Sequence, residues 1–202
     1  MTESLFGAGA PTVNSASDWG GDHSVGITMV FAVNGNVTGA RTWVATNQGE
    51  AAGYYTSRFY QVTAGDTAPG PGTGTLLASK DFGVTSDVAA WNTVLFDTPV
   101  AVTAGTVYRI VRGSTDWFTI ATGIFAAGPI VNGNITGVQT GATVGGFTIT
   151  QQGFNGVSKV IYPNQGSSFA GTGSVTAYID VLFEASGGGF NPRASSQFLT
   201  FF

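Results

Sequence analysis

The chain reads as an all-β protein: a single β-sandwich of jelly-roll type carrying an extended C-terminal arm. Three observations predict this class. No helical period with end caps persists for three turns anywhere in the 202 residues. Short runs of Val, Ile, Phe, Tyr and Thr alternate at period two, and Gly, Asn, Asp and Pro punctuate them. The 43% hydrophobic and 12% aromatic content supports a packed core despite 31 glycines. This length suits one sizeable core and is short for two ordinary domains, so residues 1–185 are assigned to the sandwich and 186–202 to a glycine hinge and arm.

Residues 1–25, rich in Gly, Ala, Ser and Asp, predict an extended lead-in with at most one short strand. The first strand is expected over Ile27 to Val33, with Ile27, Met29, Phe31 and Val33 on one face. Asn34-Gly35 then carries a hairpin signal, because both residues tolerate positive φ, and the return strand runs to about Thr46. Gly39 and Ala40 within it predict a bulge or a close backbone approach. A loop over residues 47–56 precedes a strand from Arg58 to Val62, and the Pro/Gly-rich segment Ala64 to Thr75 is a surface loop before the strand Leu76 to Phe82.

The most legible stretch runs from Ala90 to Arg112. It predicts a strand around Val94 to Phe96, a turn at Pro99, a second turn at Thr103-Ala104-Gly105, and a strand over Val107 to Val111. A turn at Gly113-Ser114 and an aromatic strand from Trp117 to Ala121 follow. Short strands are expected at Ile130–Val131, Ile135–Val138, Phe147–Thr150 and Ser158–Tyr162. The last is Val175 to Phe183, with Val175, Ala177, Ile179, Val181 and Phe183 on one face. Asn34-Gly-Asn-Val-Thr-Gly-Ala-Arg41 recurs as Asn132-Gly-Asn-Ile-Thr-Gly-Val-Gln139, an echo read as reused hairpin chemistry rather than as a duplication.

After Glu184 a Ser-Gly-Gly-Gly link leads to Phe190, Phe198, Leu199, Phe201 and Phe202, five large apolar side chains in thirteen residues. Each is worth roughly 1.5 to 3 kcal/mol when buried. They are assigned to an assembly interface that docks on a neighbouring subunit, with folding back onto the chain's own sandwich as the alternative.

Composition narrows the partners. Only 9% of residues are charged, the net charge is -4 and no Lys/Arg run occurs, which argues against nucleic acid. The chain has no cysteine for disulfides or thiolate metal sites. No apolar stretch has the length of a membrane span, and the first residues do not form a secretory signal. A surface of Gly, Ser, Thr, Asn and Gln suits the extracellular world or an assembly, and lysis would release such a protein without an export signal.

Catalytic constellations are not nominated. His23, the single histidine, is flanked by Asp22 and Ser24, but neighbours on an extended segment point apart, so it is read as a surface or interface residue. Asn14, Asp18 and Asp22 could offer oxygen ligands to calcium at a spacing that matches no dedicated loop, and turn capping is the commoner use; no cofactor is expected. The acids are scattered singly, without a carboxylate pair for glycoside hydrolysis. Gly70 to Thr75 lacks the Lys of a phosphate loop, and the two Asn-x-Thr sites at Asn36 and Asn134 are expected to be silent. Aromatic residues remain: Tyr54, Tyr55 and Trp117 could form a platform on which sugar rings stack, with Tyr60, Trp43 and Trp91 in the same pool.

Three segments occur together in order: Asn36-Val-Thr-Gly-Ala-Arg41, then Val94-Leu-Phe-Asp-Thr-Pro-Val-Ala-Val-Thr-Ala-Gly-Thr-Val-Tyr108, then Tyr162-Pro163 through Ser168-Phe169 to Tyr178-Ile-Asp-Val-Leu-Phe183. They resemble an uncharacterised β-sandwich family of actinobacterial surface proteins and of minor tail and other virion proteins of actinobacteriophages. The opening Thr2-Glu-Ser-Leu-Phe6 is similar to the start of such phage proteins. The resemblance covers residues 4–185 in pieces and carries no catalytic motif. It implies a sandwich fold and a role in display, adhesion or assembly, and the chain is read as a virion protein of the phage tail (minor tail, fibre or baseplate) that contacts other virion proteins; the low charge and the apolar arm predict a homo-oligomer such as a trimer. A capsid decoration protein and a carbohydrate-binding module for the bacterial envelope are the alternatives.

Overall fold

The computed structural model describes residues 1–11, 15–45, 50–64, 73–84, 88–149, 153–155, 158–160, 162, 165–166 and 175–187. These are strand and turn. The strands are β1 (Thr2–Glu3), β2 (Ser15–Phe31), β3 (Gly35–Val44), β4 (Glu50–Ala64), β5 (Thr73–Val84), β6 (Ala90–Val102) and β7 (Val107–Thr122). Shorter ones follow: β8 (Ile130–Asn132), β9 (Ile135–Gly137), β10 (Thr143–Val144), β11 (Phe147–Thr148), β12 (Gly153–Asn155), β13 (Gln165–Gly166) and β14 (Val175–Ala177). β15 (Ile179–Ala185) closes the series.

The strands form a sandwich. One sheet has four strands in the order β1-β15-β3-β6; the other has nine, with the path β13-β12-β2-β7-β4-β5, β14 added to β7, and the β8-β9 ribbon added to β2. All pairings are antiparallel. Between the sheets lies one main core, in which Ile27, Met29 and Phe31 meet Val181 and Phe183. The period-two pattern points inward over Ile27 to Phe31 and Ile179 to Phe183, whereas Val33, expected on the same face, lies beyond the end of β2 and is exposed. Phe31 and Phe183 have ring centroids 4.6 Å apart across the sheets.

Asn34-Gly35 is not a hairpin. β2 pairs with β7, β9 and β12, whereas β3 pairs with β15 and β6, so this dipeptide carries the chain from one sheet to the other. Its residues do different work there: Asn34 Oδ1 accepts the Ala104 N–H at 2.8 Å, its carbonyl accepts the Ser186 N–H at 2.8 Å, and a Cβ on Gly35 would lie 2.3 Å from the Phe183 ring. The echo at Asn132-Gly133-Asn134 does form a hairpin, between β8 and β9, with Gly133 at φ +56°. Local sequence is the same in both places; what each strand can pair with decides the outcome.

Two other expected turns lie inside strands. β6 passes through Pro99, which is absorbed in a wide irregularity: Val37 faces Val100 and Gly39 faces Leu95, leaving Phe96 to Pro99 against Thr38. β7 runs through Gly113-Ser114, paired on both sides with β2 and β4. The third turn is as expected, with Thr106 N–H donating to Thr103 O at 3.2 Å and Gly105 at φ +73°. β4 begins at Glu50, inside the expected loop, and β2 at Ser15, inside the expected lead-in. The final segment is two strands: β14 belongs to the larger sheet and β15 to the smaller, and Tyr178 is the corner between them.

Each sheet also carries a cover on its outer face. Ser158 to Tyr162 was expected as a strand, but Lys159 and Val160 form a bend that lies across the larger sheet. Thr56 Oγ1 donates to Lys159 O at 2.8 Å, Tyr162 packs edge-on to Tyr60 at 5.1 Å, and the Arg109 guanidinium sits 5.0 Å from the Tyr162 ring. Gly113 is what lets this strap approach, since a Cβ there would stand 1.9 Å from Lys159 O. Gly113→Ala should therefore unseat the strap and cost about 1–3 kcal/mol. Urea unfolding measures it; an unchanged midpoint would show that the strap contributes nothing.

Candidate functional site

Ile179, Val181 and Phe183 face the core, so Asp180 alternates onto the outer face of the smaller sheet, and yet it is 0% exposed. The N-terminal segment covers it. Asp180 Oδ1 accepts the Leu5 N–H at 2.7 Å and its own neighbour Val181 N–H at 2.8 Å, and Oδ2 accepts the Phe6 N–H at 2.9 Å. Arg41, opposite it on β3, donates Nη2 at 2.8 Å and Nε at 3.2 Å to Oδ2, and donates Nη2 also to Gly7 O. Burial pushes the Asp180 carboxyl above its usual range, against the pull of the Phe6 N–H and Arg41.

Aromatic rings gather around this clip. The Arg41 guanidinium lies 4.2 Å from the Trp91 ring centre. Phe6 stacks on Trp91 at 6.1 Å and meets Tyr178 edge-on at 5.4 Å, while Trp43 meets Trp91 edge-on at 5.6 Å. Trp91 Nε1 donates to Gly9 O at 2.9 Å, which carries the N-terminal segment onward over the sheet. Beside the rings opens a cleft of about 210 Å³ between Phe6, Gly9, Ala10 and Pro11 on one side and Ile124, Ile130 and Tyr178 on the other. Its lining side chains are apolar apart from the tyrosine hydroxyl, and its volume is below the roughly 300 Å³ at which sites for drug-sized ligands begin. One or two apolar side chains suit it.

Two arginines of β7 are also buried. Arg112 lies between the sheets, its guanidinium 4.9 Å from the Tyr55 ring and 5.0 Å from the Phe118 ring, donating to Trp43 O at 3.3 Å and Trp117 O at 3.2 Å. Burial pulls it down to about 10, with Tyr55 and Tyr54 opposing. Arg109 Nε donates to Thr28 Oγ1 at 2.9 Å beneath the strap. Both bind the fold together.

The sheets end in open edges on one side. Among the described residues β5 pairs only with β4 and β6 only with β3, and Lys80 on β5 forms an ion pair with Asp97 on β6. Leu76 and Leu77 on β5 and Leu95 on β6 are exposed. Each edge is interrupted: Leu77 has no partner on β4, and β6 carries Pro99 and its irregularity. Such devices keep an open edge from pairing indiscriminately.

The residues singled out from the sequence are dispersed. Tyr55 is fully buried, stacked on Phe82 at 5.5 Å, and offers no face to a sugar; Tyr54 and Trp117 are half-buried. Trp43 and Trp91 belong to the clip and Tyr60 lies under the strap. His23 is buried against Phe118, at 6.4 Å, rather than on the surface. Asn14 and the Asp18 side chain lie outside the described residues, Asp22 accepts from Thr115 Oγ1 at 2.6 Å, and no group of three potential metal-binding His, Asp or Glu side chains is found among the described residues. Phe190, Phe198, Leu199, Phe201 and Phe202 also lie outside them. The sequence reading missed Asp180 as a key residue, although a lone acid between Ile179 and Val181 in an apolar strand was a usable signal.

Removing Asp180 leaves Arg41 buried without its counter-charge. Asp180→Ala should cost about 3–5 kcal/mol, and a paired Asp180→Leu, Arg41→Met replacement should recover only part of it, because it removes the unpaired charge but leaves the Leu5 and Phe6 N–H groups without an acceptor. Denaturant titration of both variants checks this; an Asp180→Ala loss below about 1 kcal/mol would refute the clip.

The pH dependence should show two opposite contributions. Burial lowers the His23 pKa, although Asp22 and Asp116 raise it, so the unfolded chain binds this proton more readily. Its contribution is lost as pH falls below ~6.5, and His23→Leu should abolish that loss. For Asp180, whose pKa is raised, the contribution is present below the unfolded carboxyl's ~3.9 and lost as pH rises through the folded pKa. The stability difference between wild type and Asp180→Asn should therefore shrink with increasing pH; thermal melts across pH would expose a wrong sign in either case.

No family model matches the chain, and no curated protein sequence matches it.

Proposed function

We propose that the chain is a non-enzymatic structural component of a phage virion, tail-associated as a minor tail, fibre or baseplate protein, and located outside the host after lysis. It is held to copies of itself and to other virion proteins by strand edges and by its Phe-rich C-terminal arm. The observation that carries the assembly reading is the pair of open edges, β5 and β6, on one side of the sandwich. Each is interrupted by an irregular register, so pairing there favours a partner that fits the irregularity. The low charge supports the same reading, because a neutral surface of Gly, Ser and Thr costs little to desolvate against a neighbour. The virion setting is supported by the resemblance of the three sequence segments. A capsid decoration protein would use the same surfaces at another place in the particle, and electron micrographs of labelled particles separate the two.

A second reading, recognition of the bacterial envelope by a carbohydrate-binding module, is favoured by Tyr54 and Trp117, which are only half-buried. The two readings separate by mutation. Deleting residues 190–202 should abolish incorporation into particles and leave binding to cell-wall glycan intact. Tyr54→Ala and Trp117→Ala should do the reverse if glycan recognition is the task, each losing about 1 kcal/mol of stacking, or roughly fivefold in affinity. Normal incorporation of the truncated chain would count against the assembly reading.

A further inference from the structure

We propose that the apolar cleft beside Phe6, Ile130 and Tyr178 is the receptor for the Phe198-Leu-Thr-Phe-Phe202 end of a second copy's arm. This deepens the assembly reading above and rests on it.

The cleft matches the arm in chemistry and size. Its walls present side chains such as Phe6, Pro11, Ile124 and Ile130, with about 210 Å³ between them, room for one or two apolar side chains. The arm supplies Phe198, Leu199, Phe201 and Phe202 within five residues, with no charge among them. Neither surface favours water, and burying one Phe is worth roughly 1.5–3 kcal/mol.

The paired edges of β15 close the direct way back to the chain's own cleft. The cleft is at Tyr178, where β15 begins, and the described chain ends at Gly187, beyond the other end of that strand. At ~3.3 Å per residue β15 carries the chain roughly 20 Å away from the cleft before the arm starts. Return beside β15 as an added strand is blocked, because β3 pairs along one edge, while β1 and the Leu5 and Phe6 N–H groups occupy the other. The 15 residues 188–202 reach at most about 50 Å when extended, enough to cross to an adjoining copy. Exchange of identical arms between identical clefts makes each contact occur once per subunit, so the same small site is multiplied through a closed assembly.

The chain has no cysteine, so engineered ones give an unambiguous test. Full-length Ala10→Cys and Thr200→Cys proteins are mixed under mild oxidation and resolved on a denaturing gel, with Val160→Cys, exposed on the strap over the larger sheet, replacing Ala10→Cys as the control. The expected result is a disulfide-linked pair of one chain of each kind. Phe201→Ser with Phe202→Ser, added to the Thr200→Cys chain, should reduce that product about tenfold or more. Cross-linking no better than the control overturns the proposal. So does a double variant, Ala10→Cys with Thr200→Cys, that closes only within single chains, because the arm then occupies its own cleft. Sedimentation of the unmodified protein separates this failure from that of the wider reading: an oligomer without the cross-link removes only the arm-in-cleft contact, and a monomer removes both.

Discussion

A single buried carboxylate organises one half of the sandwich. Asp180 accepts from the backbone of Leu5 and Phe6 and pairs with Arg41, so three segments far apart in sequence meet at one side chain. Taking the two charges out of water costs several kcal/mol per ion, and their attraction offsets this only when the remaining hydrogen-bond positions are filled. Here the N-terminal segment fills them. The ion pair is therefore a specificity device: it rewards one placement of residues 5–7 and penalises every other. Phe6 is set by that placement against Trp91 and Tyr178, and the position of Phe6 in turn forms a wall of the apolar cleft.

The larger sheet buries two arginines against aromatic rings, a hydroxyl and carbonyl groups. Arg112 lies between the sheets with two aromatic rings and two carbonyl groups around it, and Arg109 lies on the opposite face of the same strand beneath Tyr162. Cations so placed rest on ring quadrupoles and backbone oxygens. This explains how a chain with so few charges can bury three of its arginines. Arg41 and Arg109 join strands to what covers them, and Arg112 joins β7 to β3.

The fold class was legible from alternation, because Ile27, Met29 and Phe31, and later Ile179, Val181 and Phe183, form two walls of one core. Punctuation was less legible. Gly113 and Pro99 read as turns but lie within strands, since a glycine also serves close approach and a proline also fits a bulge on an edge strand. Asn34-Gly35 shows the limit most clearly: its twin at Asn132-Gly133 makes a hairpin, and no local feature distinguishes them. At the candidate site the aromatic residues were recognisable, but their grouping was not. Trp91 and Trp43 lie with Tyr178 and Phe6 through pairing between strands distant in sequence, and Tyr55, in the same pool, is sealed in a separate cluster.

These constraints bear on how such a molecule can hold a neighbour. Each sheet has a cover on its outer face, the N-terminal segment on one and the strap on the other, and each open edge is broken by an irregular register. A sandwich built this way does not join another by simple stacking, and its edges admit only a partner that fits their irregular register, which guards against uncontrolled aggregation. Controlled association then favours contacts that are small, apolar and fixed in position, with a tether to raise their effective concentration. The N-terminal segment provides such a position because the Arg41–Asp180 pair holds it, and the glycine link provides the tether. In this arrangement the polar interior determines where the apolar contact can form.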